Sequence, residues 1–183
     1  MYFGKVVNIN DNLKLGRVKV KVYDLHDNIK TVDLPWSQVM MPGNTPAISG
    51  QGHSVNLAVG SFTDVEYETE RFDLNGDYNT SNYTFTAPVT GKYQFNVNVR
   101  LLNVDTAHTH MGIRLNTSNR NYDTLVEQPD HTMSSDGGNC LACSYLVDMD
   151  AADTAKIQFE CTSGSAQTDV QGGNSYFMGY LVA

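Results

Sequence analysis

The 183 residues predict an all-β protein in two unequal parts. Three observations lead there. Apolar residues recur every second position in segment after segment, as in KYQFNVNVRLL (92–102), which is the period of a half-buried strand. No 11-residue window carries apolar residues at the i, i+3, i+4, i+7 spacing of an amphipathic helix. Gly, Pro, Asn and Asp fall between the alternating runs, where turns belong.

Taken in order, the strand candidates are KVVNI (5–9), GRVKVKVYDL (16–25) and WSQVMM (36–41), separated by the turn-like NINDN and HDNIKTVD. In the second, Val18, Val20 and Val22 are expected to face a core and Arg17, Lys19 and Lys21 to face out. Residues 42–60 are rich in Gly, Pro, Ser and Asn and read as a linker. Alternation then resumes in FTDVEYETERF, YTFTAPV, KYQFNVNVRLL, HMGIRLN, SYLVDMD, AKIQFEC and SYFMGYLV. Evenly spaced short strands of this kind build a β-sandwich or barrel. In KYQFNVNVRLL, Tyr93, Phe95, Val97, Val99 and Leu101 share one face. In the closing SYFMGYLV both faces are largely apolar, which predicts a central strand, with Gly179 admitting a neighbouring backbone. The domains expected are residues 1–60 and 61–183.

Charge divides the chain at the same place. Residues 1–60 hold six Lys/Arg and four Asp/Glu, a net +2; residues 61–183 hold six and sixteen, a net −10. An acidic bulk repels phosphate backbones, so nucleic acid is not an expected partner. No run of about 18 apolar residues predicts a membrane span, and MYFGKVVNIN lacks the apolar core of a secretory signal. Three cysteines, Cys140, Cys143 and Cys161, do not make a disulfide framework, and the single C-x-x-C has no second ligand pair behind it. No nucleophile elbow, P-loop or H-E-x-x-H occurs, and His53–Ser54 are only sequence neighbours, so no catalytic residue is assigned and no enzymatic activity is expected.

Two family resemblances emerge from particular residues. FTAPVTGKYQFNVNVRL (85–101), flanked by VEYETERFDLNGDYN (65–79), SYLVDMDAADTAKIQFE (144–160) and NSYFMGYLV (174–182), resembles the C1q-like domain along about 120 residues. That resemblance implies a jelly-roll sandwich, assembly as a homotrimer about a threefold axis, and binding of protein or carbohydrate partners without a catalytic centre. It places Tyr93, Tyr176, Phe177 and Tyr180 as candidates for the trimer interface. YFGKVVNINDNLKLGRVKVKVYDLH followed by LPWSQVMMP resembles the N-terminal OB-type domain of baseplate hub (tail lysozyme) proteins of contractile-tailed phages. An OB-fold has five strands and only three precede the second part, so the resemblance implies a truncated OB-like module. Its Arg17, Lys19, Lys21 and Trp36 are then the residues expected to dock on other virion structural proteins.

The reading that follows is a structural protein of a tailed phage virion, with an outward head for a host-surface carbohydrate or protein. A capsid or neck fibre and a secreted recognition protein are the alternatives. Tyr78, Tyr83 and Tyr122 lie in Asn-rich, loop-like surroundings and are the candidates to face a ligand, since tyrosine offers a rigid apolar face with a polar tip. No cofactor is expected, with calcium or another metal kept open at two places. His108 and His110 would share one face of a strand, and Asp148, Asp150 and Asp153 surround a turn. Asp73-x-Asn75-x-Asp77 has the start of an EF-hand loop, but Thr84 stands where the twelfth-position glutamate belongs.

Overall fold

A computed structural model describes residues 3–12, 17–38, 56–73, 75–127 and 137–182. Three strands, β1 (Gly4–Asn8), β2 (Arg17–Val22) and β3 (Trp36–Gln38), form an antiparallel sheet in the order β1-β2-β3. Residues 39–41 of the third predicted strand, and most of the predicted linker, lie outside the described residues.

The larger part is a sandwich of two antiparallel sheets. One contains β5 (Tyr78–Asn79), β6 (Thr84–Thr86), β11 (Thr154–Thr162), β8 (His110–Thr117) and β9 (Asn121–Glu127) in that order, with β4 (Thr63–Asp64) also paired to β11. The other is built around β7 (Gly91–Val104), with β10 (Gly137–Met149) along one edge. Along the other edge run β12 (Asp169–Val170) and β13 (Tyr176–Leu181). Leu57 already belongs to the core and its N–H donates to the Thr168 carbonyl at 2.9 Å, so the sandwich begins before residue 61.

The alternation in β7 explains the layering. Tyr93, Phe95, Val97, Val99 and Leu101 are all buried and meet Met111, Ile113 and Leu115 of β8 and Ile157 and Phe159 of β11 in one cluster. An aromatic seam runs through it: Phe95 lies 5.3 Å from Phe177 and 5.5 Å from Phe85, ring centre to ring centre, within the range where such pairs add to area burial. Gly179 is required where it stands, because a Cβ there would lie 2.4 Å from the Phe95 ring and 2.6 Å from the Gln94 carbonyl. The central strand, however, is β7; among the described strands β13 pairs with β7 alone. Alternation also hid β9, whose NYDTLVE sets Leu125 between the charged positions Asp123 and Glu127 of one alternating set.

Candidate functional site

Three adjacent strands turn their second face outward, and register fixes what that face displays. Leu146, Gln94 and Tyr180 form one row across β10, β7 and β13; Ser144, Asn96 and Met178 form the next; Ala142, Asn98 and Tyr176 the third. Leu146 is 58% exposed, Tyr176 37% and Tyr180 36%. The middle of the face is a polar ladder. The Ser144 hydroxyl donates to the Asn96 side chain, the Cys140 thiol donates to Asn98 Oδ1 at 2.7 Å, and Asn98 Nδ2 donates to the Asn174 carbonyl at 2.6 Å. The three rows make an uncharged patch with an aromatic edge and a leucine opposite, bounded by Lys92 and Asp148 at one end and by Arg100 at the other. Such a surface suits burial against another protein surface.

The four residues expected at a trimer interface split evenly. Tyr176 and Tyr180 lie on this face. Tyr93 and Phe177 do not, and that expectation is corrected: both are 2% exposed and packed inside the sandwich, where Tyr93 donates its hydroxyl to the Val89 carbonyl at 2.7 Å. The reason is the register itself, since Phe177 alternates with Tyr176 and Met178 and must point the other way. Leu146 and Met178 are the residues sequence reasoning missed; the signal was the buried Val147 and Met149 two apart, which leaves Leu146 outside.

Of the N-terminal candidates, Lys19 departs from expectation while Arg17, Lys21 and Trp36 are half-buried. Lys19 is the buried residue of β2, 8% exposed, and its ammonium donates to the Val32 carbonyl at 2.6 Å and lies 5.2 Å from the Trp36 ring centre. Arg17 lies 5.7 Å from the same ring and clasps Asp11 through Nε and Nη2 at 2.9 and 2.7 Å. That carboxylate raises the already high pKa of the guanidinium. Lys21 donates to the Asp27 carbonyl at 2.9 Å. Arg17 and Lys19 therefore pack about one tryptophan, and the expectation that Lys19 faces out is corrected.

The metal candidates do not converge. His108 precedes β8 and is 1% exposed, with Nδ1 2.7 Å from the Ser163 carbonyl and Nε2 2.9 Å from Thr168 Oγ1. His110 instead pairs with Thr162 Oγ1 at 2.8 Å. Asp153 spends its oxygens on Ser118, Asn119 and the Asp150 N–H, the hydroxyl first among the contacts that hold its carboxyl below the usual range. Asp148 and Asp150 stand exposed nearby. Asp73 accepts from the N–H groups of Asn75, Gly76 and Tyr78, so the D-x-N-x-D segment is a hydrogen-bonded turn. Among the described residues no three His, Cys, Asp or Glu gather as a metal site.

His108 beside Thr168 has the spacing of a base and a nucleophile, but Thr168 is fully buried and no substrate can reach it. Together with Asp105, held low by the N–H groups of Ala107 and Ser165, the pair ties the β7–β8 connection to the β11–β12 connection. His53 and Ser54 lie outside the described residues. Cys140 and Cys143, three apart on a strand, point to opposite faces and cannot grip one metal ion. Burial pushes the Cys161 thiol up to about 11, which makes it inert. Of the tyrosines expected to meet a ligand, Tyr78 is buried and donates to the Tyr67 carbonyl at 3.3 Å, which corrects that placement. Tyr83, at φ 58°, is half-buried against the core, and Tyr122 is half-buried 6.0 Å from the Tyr145 ring.

The comparison with protein families decides the lineage of the sandwich: the C1q domain matches residues 52–182. The chain belongs to the C1q-domain family. Solved structures agree on the fold. The globular domain of zebrafish complement 1qA protein is similar at a TM-score of 0.52 with 13% identity, covering 76% of this chain and 96% of that one. Murine APRIL gives 0.52 and 9%, covering 75% and 97%. Eiger TNF from S. frugiperda gives 0.53 and 14%, covering 76% and 90%. None of the curated proteins compared matches the chain. Among the described residues of this C1q-domain protein, no helix is long and apolar enough to cross a membrane.

Proposed function

We propose that this C1q-domain protein is a non-enzymatic, trimeric attachment protein of a tailed phage particle. The observation that carries the assembly is the outward face of β7, β10 and β13, where Leu146, Tyr176 and Tyr180 stand exposed beside a half-buried Met178 and an uncharged ladder. Closing three copies around one axis removes that surface from water. Function then follows from multiplicity. Three heads held together turn weak contacts with a host-surface carbohydrate or protein into useful attachment, because each bound head raises the effective concentration of the next. The N-terminal module's likeness to a baseplate hub domain supports a seat on the tail, with other virion proteins as neighbours.

Light scattering on the full chain tests the assembly. The expected mass is three times the 20.2 kDa of one chain, and Tyr176→Glu with Tyr180→Glu should return it to a single chain without unfolding the sandwich. A wild-type mass of one chain sinks the proposal. Gold labelling of intact particles tests the location: label at the tail supports the reading, and label confined to the capsid or neck, or absent from particles, overturns it.

A further inference from the structure

The cation face of the N-terminal sheet is covered at Lys19, and among the described residues nothing is laid over its other face. Register places Gly4 opposite Val22, Val6 opposite Val20 and Ser37 opposite Val18, and opposed residues of an antiparallel pair share a face. Val6 is 49% exposed and the three valines of β2 are only half-buried. Ile9, just past the end of β1, is 72% exposed. Gly4 keeps the face flat: a Cβ there would lie 3.0 Å from Val20 Cγ1. No charged residue interrupts these three register pairs, while Lys5 and Lys21 pair on the other face with Lys19 and Arg17.

We infer that this valine face packs against the same face of the other copies within the trimer. The inference rests on the trimeric reading above. Size is the first argument. Strands of five, six and three residues about 4.8 Å apart present roughly 220 Å², against about 800 Å² per partner in a stable protein–protein interface. The face is too small to hold a free partner and large enough for one that is already tethered. Reach is the second. Residues 39–55 number seventeen between the two described parts, and at no more than about 3.6 Å each they span at most about 60 Å. Three modules confined to that radius meet at an effective concentration on the order of millimolar. Charge is the third. The module carries a net +2, and facing the valines inward sends the cations of all three copies outward, so their repulsion is screened by solvent.

Photocross-linking on the full chain tests this, with p-benzoylphenylalanine in place of Val6 and, as control, in place of the exposed Thr31 beside the cation face. Light scattering is read on the same samples. The expected result is a trimeric mass, a chain-to-chain cross-link from position 6 mapping to residues 3–22 of a second copy, and none from position 31. The yield should not change on dilution, because the partner is tethered. A trimeric mass with a position-6 cross-link into residues 39–55 of the same chain shows that the linker covers the face, and overturns the inference while leaving the trimer standing. A trimeric mass with no cross-link overturns it likewise and leaves the face open to another protein. A single-chain mass overturns the trimeric reading and this inference with it.

Discussion

β2 and β7 carry the same pattern and bury opposite halves of it. In β7 the alternating apolar residues are inside, with Phe95, Val99 and Leu101 fully buried, and the polar set Gln94, Asn96, Asn98 and Arg100 is half-open. In β2 the alternating valines are half-open and Lys19 is buried. The difference lies in what the rest of the chain can lay over each face. β7 is covered by a second sheet that brings its own apolar side chains. Among the described residues the N-terminal module has three strands and no second layer. Its available cover is Trp36 and the 3-10 turn Thr31–Asp33, and both fall on the cation side. Period-2 alternation says that a strand has two different faces; it does not say which of them will find a partner.

The largest expected effect tests the better-covered side of this comparison. Phe95→Ala removes a fully buried ring from the aromatic seam and should cost about 3–5 kcal/mol, measured as a drop in the urea midpoint of the head followed by circular dichroism. The chain holds one tryptophan, Trp36, so its fluorescence reports the N-terminal module separately and should keep its wild-type transition. A cost below about 1 kcal/mol, or a Trp36 transition that moves with the head, would break the picture of two independently covered sheets.

Much of the head was legible because its strands obey one rule twice over. Tyr93, Phe95, Val97, Val99 and Leu101 alternate, and the TAP turn and glycine before them mark where the strand begins. The site was less legible. Tyr176 and Tyr180 could be placed on a strand, but separating them from Phe177 needed the register of β13 against β7, which sequence periodicity alone leaves open. His108 and His110 sit two apart, yet the strand begins only at His110, and the loop turns His108 inward to Ser163 and Thr168. A loop's course is set by long-range partners, here about 55–60 residues away, and not by its own composition. Lys19 was misplaced for a similar reason: its cover, Trp36 and Val32, comes from outside β2.

Lys19 supplies the next test, now on the module side. Lys19→Ala removes a charge-assisted hydrogen bond to a carbonyl and the contact with the Trp36 ring, and leaves the Val32 carbonyl without that donor. The expected cost is about 1–3 kcal/mol. It should appear as a lower midpoint and altered emission of Trp36, with the circular-dichroism transition of the head unchanged. If Lys19 were an outward docking residue, the alanine variant would unfold like wild type and fail only when presented with its virion neighbour.

The smallest effect separates the two regions by acid. Among the described residues the head holds three carboxyls below their ordinary value: Asp105 through the N–H groups of Ala107 and Ser165, Asp123 through Arg114, and Asp153 through Ser118. A carboxyl lower in the folded than in the unfolded chain stabilises the fold above its unfolded pKa of about 3.9 and loses that contribution as pH falls through the folded value. Asp77 opposes them weakly, since burial raises it and protonation relieves that cost. The net expectation is a Tm for the head that falls as pH is lowered from about 5 through the range below 3.9. Asp105→Asn should start slightly lower near neutral pH, because an amide offers one acceptor oxygen where two N–H groups wait. It should then fall less steeply, because one of the titrating groups is gone. Parallel falls in the two proteins would remove Asp105 from the acid response and leave it to Asp123 and Asp153. These groups are exposed enough that added salt should shrink the difference that comes from the Arg114–Asp123 pair, while the Asp105 share, made of short hydrogen bonds to backbone, should persist.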